Sequence, residues 1–274
     1  MRSGRYIDQP NYLLRIYAVL FMLFLYIPIF FIPLFSFNGA IYVKFPLEGF
    51  TFDWYVKLLE HDAVFAALKN SIRVGVIVSI VSTVVGVFAA MAISRYRLPG
   101  RGPIVGFIML PLVVPGIIFG VALLVLMSRL GIPLSLNTVI LGHLVVSLPF
   151  AIATLLPRFE GFDRSMEEAS ADLGENSWFT FWRVTFPIVA PGIVASLLMC
   201  FTISFDEFIM AFFPSGTEAT LPIFIWTQLR FPQNFPMILA LSSLILAVSF
   251  VIVFFSFWVG RLGPLAATKG ETAK

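Results

Sequence analysis

A chain of 274 residues that is 59% hydrophobic and 12% charged, with a mean hydropathy of +0.96, is too apolar to face water on every side. A soluble enzyme is excluded and an integral membrane protein is implied. The net charge of +3, with no basic cluster beyond short loops, excludes nucleic acid as a partner, and the single cysteine, Cys200, excludes an intramolecular disulfide.

A helix needs about 20 apolar residues to cross a bilayer, and six runs meet that length: 18–37, 74–93, 104–127, 138–157, 188–213 and 237–260. The first is too long for a signal core and lacks an A-x-A exit, so it reads as a retained span. Between the first two runs, "FTFDWYVKLLEHDAVFAALKNS" repeats its apolar residues at helical spacing but is interrupted by Lys57, Glu60 and Asp62, which predicts a surface helix against the bundle. Prolines fall inside the spans at Pro28, Pro33, Pro111, Pro115 and Pro149. Each removes a backbone hydrogen bond that lipid cannot replace, so together they suggest a bundle that moves. His143, with no second histidine or acid at ligand spacing in its span, reads as a packed or hydrogen-bonded core residue.

Six spans place both ends on one side. Arg2, Arg5 and Arg15, Arg95, Arg97 and Arg101, Arg158, Arg164 and Arg183, and Arg261, Lys269 and Lys274 all fall on the side of the termini, against Lys44, Lys57, Lys69, Arg73, Arg129 and Arg230 on the other. The positive-inside rule makes the segment 1–17, the loop 158–187 and the tail 261–274 cytoplasmic, flanking a transmembrane domain over 18–260. The expected fold class is an all-α membrane protein, a six-transmembrane-helix bundle.

The loop 158–187 is more elaborate than a connector requires. Ser165 and Glu168 form an S-x-x-E pair that predicts a capping box, Gly174 is placed to end the helix in a left-handed turn, and Asn176 or Ser177 can cap a second helix. Trp178, Phe181, Trp182 and Thr185 then share one helical face, and Pro187 closes that helix before the fifth span. A connector lying on the lipid surface would account for the aromatic residues. Five acids between Asp163 and Glu175 speak for a protein cleft instead, because an acidic helix is repelled by an anionic leaflet.

Asp206 and Glu207 are the only formally charged residues within the six runs. A carboxylate at the bilayer centre costs roughly 2.5–3.5 kcal/mol on insertion scales, so these acids are expected to face water, a partner or a substrate. One reading has them reach external water or cap a helix break before Pro214. The other has them line the outer pathway and attract a cation, with Phe205, Phe208 and Trp226 as aromatic walls. Adjacent helical residues point about 100° apart, so one of the two acids faces inward on that reading.

The order Glu168, Ala169, Ser170, three residues, Gly174, then Val184, Phe186, Pro187 and a following "PGI" resembles the EAA loop of bacterial ABC-importer permeases. Ser170, Val184 and Phe186 replace an alanine, an isoleucine and a leucine. The resemblance extends through "FTISFDEFIMAFFPSGTEATLPIFIW" to the permease subunits of polyamine importers. It implies the type I ABC importer permease fold in the bacterial inner membrane, and coupling to an ATPase through Glu167, Glu168, Ala169, Ser170, Asp172 and Gly174. The implied partners are a second homologous permease chain in a heterodimer, two cytoplasmic ATPase subunits that bind ATP and Mg, an external substrate-binding protein, and membrane lipid. The chain itself would hold no cofactor and no metal and carry no catalytic residue; none of its five lysines lies in a phosphate-binding G-x-x-x-x-G-K-[ST] loop. Putrescine or spermidine is the expected cargo. The alternatives are a phosphonate, opine, amino-acid-like or other small solute, an ion-coupled secondary transporter, which leaves the EAA-like loop unexplained, and a membrane-embedded hydrolase, which lacks a partner for His143.

Overall fold

The computed structural model describes residues 12–96 and 99–262, with side chains described as far as Val251. Arg2, Arg5, Arg97, Lys269 and Lys274, and with them most of the two terminal segments, lie outside the described residues, as does the side chain of Arg261. Apart from one isolated bridge between Asn38 and Phe50, the regular structure there is helical. The helices are α1 (Tyr12–Ser36), α2 (Asp53–Leu59), α3 (Asp62–Arg95), α4 (Arg101–Val113), α5 (Gly116–Arg129), α6 (Leu136–Glu160), α7 (Ser165–Asp172), α8 (Ser177–Thr180), α9 (Phe186–Asp206), α10 (Ile209–Phe212), α11 (Leu221–Gln228) and α12 (Phe235–Leu262). Five helical stretches are long and apolar enough to cross a membrane, and six if the bent pair α4 and α5 counts as one span.

Contacts group the chain into two units, one from residues up to His61 and from Gln228 onward, the other Asp62–Thr227. In the first, α12 packs against α1 and α2. The segment after α1 is pinned by Trp54, whose indole Nε1 donates to the Asn38 carbonyl at 2.8 Å, and by a 2.6 Å hydrogen bond between Ser36 and Tyr55. Phe37, Phe50, Phe52 and Tyr55 form a ring cluster there, with Phe37 and Phe50 stacked at 4.8 Å.

The second unit is built on α3, α6 and α9, which pack on one another. Small residues let these helices approach closely: a Cβ on Gly86 would sit 2.9 Å from that of Ala151. Val74, Val78, Leu136, Val139, Ala211 and Ile223 form one buried cluster, and Val87, Ala90, Leu155, Phe159 and Val189 another. Buried polar pairs cross the same seam, Thr83 with Ser196 at 3.0 Å and His143 Nδ1 with Ser204 at 2.8 Å, so His143 is the hydrogen-bonded core residue its isolation suggested.

Four expectations about elements are corrected. The surface helix after the first span is only α2; from Asp62 onward the same stretch is the beginning of α3, because Val64, Ala67, Ser71 and Val74 continue one buried stripe into the span. The third run is not one helix: Val114 is extended (φ −78°, ψ 131°), as a residue before proline prefers, and α4 and α5 meet at 96°. The fifth run stops at Asp206, with Glu207 and Phe208 separating it from α10. Pro187 does not end a helix, since the backbone from Ser177 to Asp206 is helical throughout. It does so through a wider π turn, Phe181–Thr185, closed by the Phe186 amide on the Phe181 carbonyl. Proline would clash with the carbonyl four residues back in a regular helix, and the wider turn relieves that clash.

Candidate functional site

Two regions gather the residues singled out above. The first is the loop between α6 and α9. Its capping box does not form, because Arg164 is already helical (φ −67°, ψ −21°) and Ser165 therefore lies inside the first turn. Asp163 takes over: its carboxylate accepts the Ser165 amide at 3.0 Å, and that bond holds the Asp163 carboxyl below its ordinary range. The end of α7 is a Schellman motif, with the Glu175 amide on the Ser170 carbonyl at 3.2 Å and the Gly174 amide on that of Ala171 at 2.9 Å. Gly174 has φ +88°, the left-handed conformation expected of it. Asn176 then caps α8 by accepting the Phe179 amide at 3.0 Å.

Within α7 the coupling candidates divide between two faces. Glu168, Ala169, Asp172 and Leu173 are exposed, Leu173 at 87%, so this short helix presents two carboxylates around a small apolar surface. Ser170 turns inward and shares a 3.0 Å hydrogen bond with the buried Thr180, fastening α7 to α8. Glu167 also turns inward: its Oε1 accepts from Arg95 at the end of α3 and from the buried hydroxyl of Thr185 in the π turn. Arg164 donates to the Ser94 carbonyl, a second tie to the same end of α3. Arg95 and Arg164 had counted only as orienting charges, and Thr185 as part of an aromatic face; nothing in the spacing reveals that three distant segments meet there. The predicted face of Trp178, Phe181, Trp182 and Thr185 is split by the π turn. Thr185 is buried, while Trp178, Trp182 and Phe186 form a ring ladder, edge-to-face at 5.8 Å and then tilted at 4.9 Å, whose two tryptophans are exposed.

The second region is the break after α9. Glu207 Oε1 accepts the amides of Ile209 at 2.9 Å and Met210 at 3.1 Å, capping α10 as one of the two sequence readings foresaw. Asp206 is exposed and makes no hydrogen bond or ion pair among the described residues. Phe208 and Trp226 come together with ring centroids 5.7 Å apart, joined by Phe212, which the sequence reading missed. Phe205 belongs elsewhere, stacked on Phe201 at 5.7 Å. No cluster of metal-ligating side chains occurs among the described residues.

The pattern of the family described as "binding-protein-dependent transport system inner membrane component" matches residues 82–265, which span the EAA-like loop, the acidic break and the last helix. The chain belongs to this family. Among relatives, the spermidine/putrescine transport system permease protein PotC of Escherichia coli (strain K12) is 30% identical over 267 residues, 96% of either chain. The putrescine transport system permease protein PotI of the same strain is 32% identical over 244 residues, 86% of either chain. The crystal structure of a bacterial ABC transporter involved in the import of the acidic polysaccharide alginate contains a chain of the same fold, with a TM-score of 0.70 and 18% identity, over 93% of this chain and all of that one. The family identity makes the protein a multi-pass membrane subunit of an ABC importer with the type I permease fold. It is a transport subunit, and ATP hydrolysis falls to a separate ATPase.

Proposed function

We propose that this permease carries putrescine, spermidine or a similar polyamine inward, in a complex with a second homologous permease chain, two ATPase subunits and an external binding protein. The observation that carries the cargo is the likeness to a spermidine/putrescine permease across 96% of both chains. Chemistry supports it: Asp206 offers an exposed carboxylate at the outer end of α9, and a flexible polycation is what such a carboxylate attracts. ATP and Mg belong to the ATPase partner.

The exposed face of α7, with Glu168, Ala169, Asp172 and Leu173, is the surface on which an ATPase groove would close, and Gly174 sets the turn that ends the helix. The arginines at the ends of α3 and α6 and at the start of α4 support a cytoplasmic position for that face and for both chain ends.

Uptake of labelled putrescine and spermidine, in cells expressing the whole transporter with an active or an inactivated ATPase subunit, tests the reading. Uptake that requires the active ATPase is the expected result; an assembled complex that moves neither compound overturns the cargo.

A further inference from the structure

Glu167 lies one residue from the docking face, yet its side chain points the other way. It joins three segments of one unit: the last turn of α3, the first turn of α7 and the π turn leading into α9. Arg95 and Glu167 are 26% and 18% exposed, so the pair is shielded from most of the solvent that weakens surface ion pairs. Thr185 is fully buried and gives its hydroxyl proton to the same carboxylate oxygen that Arg95 engages. Three other ion pairs, Lys44–Glu48, Arg101–Glu160 and Arg183–Glu175, each have a partner at least 48% exposed.

We infer that Glu167 is a positioning residue, a strut through which displacement of α7 is delivered to α3 and α9 together. The inference rests on α7 being the ATPase-docking helix, and it gives Glu167 a role different from ATPase contact. A helix of eight residues hung on flexible loops would take up a push by rotating in place. Three ties prevent this: Glu167 to Arg95 and Thr185, Arg164 to the Ser94 carbonyl, and Ser170 to Thr180. Of these only the Glu167 junction reaches both α3 and the root of α9. Those two helices pack on each other along the unit; at the far end α9 stops at the break with Asp206 and Glu207, and α3 holds the segment before α11 through Asn70, which donates to the Ala219 carbonyl, and Ser71, which accepts the Leu221 amide. Both contacts hold Glu167 Oε1 on the inward side, whereas Glu168 and Asp172 are the acids of α7 exposed to a partner.

The test uses the complete transporter purified through a tag on this chain, with four variants: Glu167→Gln, Arg95→Gln, the exchanged pair Arg95→Glu with Glu167→Arg, and Glu160→Gln as a control on an exposed ion pair. Three quantities are read: ATPase subunit recovered, stimulation of ATP hydrolysis by the binding protein, and uptake of labelled spermidine. Glu167→Gln and Arg95→Gln are expected to retain the ATPase and its basal hydrolysis while uptake and stimulation fall about tenfold. The exchanged pair should recover at least about a third of the loss, because it restores the attraction, and Glu160→Gln should match the unmodified chain. Full stimulation in Glu167→Gln, or an exchanged pair no better than either single variant, overturns the strut. Loss of the ATPase from Glu167→Gln also overturns it and returns Glu167 to the docking face. An unmodified chain that recovers no ATPase overturns the docking reading beneath it, and stimulation without spermidine uptake touches only the cargo.

Discussion

Asp206 and Glu207 are neighbours with separate tasks. Glu207 spends its carboxylate on the two free amides that open α10, whereas Asp206 closes α9 and keeps its charge uncommitted. Removing the cap is a folding matter: such caps contribute about 1 kcal/mol, so Glu207→Ala should lower the unfolding midpoint in detergent while Glu207→Gln, which keeps the acceptor, should not. Asp206→Asn should leave assembly intact and raise the spermidine concentration for half-maximal uptake about tenfold, the equivalent of about 1.4 kcal/mol of attraction. Unchanged uptake would mean that this carboxylate faces external water only. Both acids were legible as exceptions in an apolar run; their division of labour was not, because it depends on where the helix breaks, and no proline or glycine marks Glu207.

At the scale of elements, the loop between α6 and α9 is assembled from local rules with two exceptions. The glycine stop and the Asn176 cap follow from residue type. Gly174→Ala places a side chain at φ +88° with no heavy atom within 4 Å, so its cost is purely conformational, about 1 kcal/mol. Gly102, in the first turn of α4 and equally open, has an ordinary helical backbone, and Gly102→Ala should stabilise by up to about 1 kcal/mol. Thermal unfolding of the two variants should therefore shift in opposite directions; shifts of the same sign would discard the Schellman assignment. The exceptions are the capping box, displaced when the helix began one residue early, and the π turn, which a proline in an apolar run does not announce. One extra residue in a turn rotates everything before it by about 100°, which is how Thr185 came to be buried and the tryptophans exposed.

The whole molecule is governed by where its charges lie. Reporter fusions at Gly100 should read as cytoplasmic and fusions at Gly131 as external; the reverse would invert the orientation and place α7 on the wrong side for any ATPase. Glu168→Lys should leave the chain inserted but lose most of the co-purifying ATPase, since it reverses the one exposed acid of the EAA-like signature; normal recovery would remove Glu168 from the interface.

Membrane class, helical fold class and family were determined by the sequence itself, because apolar length and a spaced motif are properties of a linear chain. What only the tertiary structure decided is which polar side chains face each other. Arg95, Glu167 and Thr185 are separated by 72 and 18 residues and share no periodicity. Their meeting depends on the packing of α3 against α9, on the turn before Arg164 and on one widened helical turn. Each of these is set by close contact between distant segments rather than by local propensity.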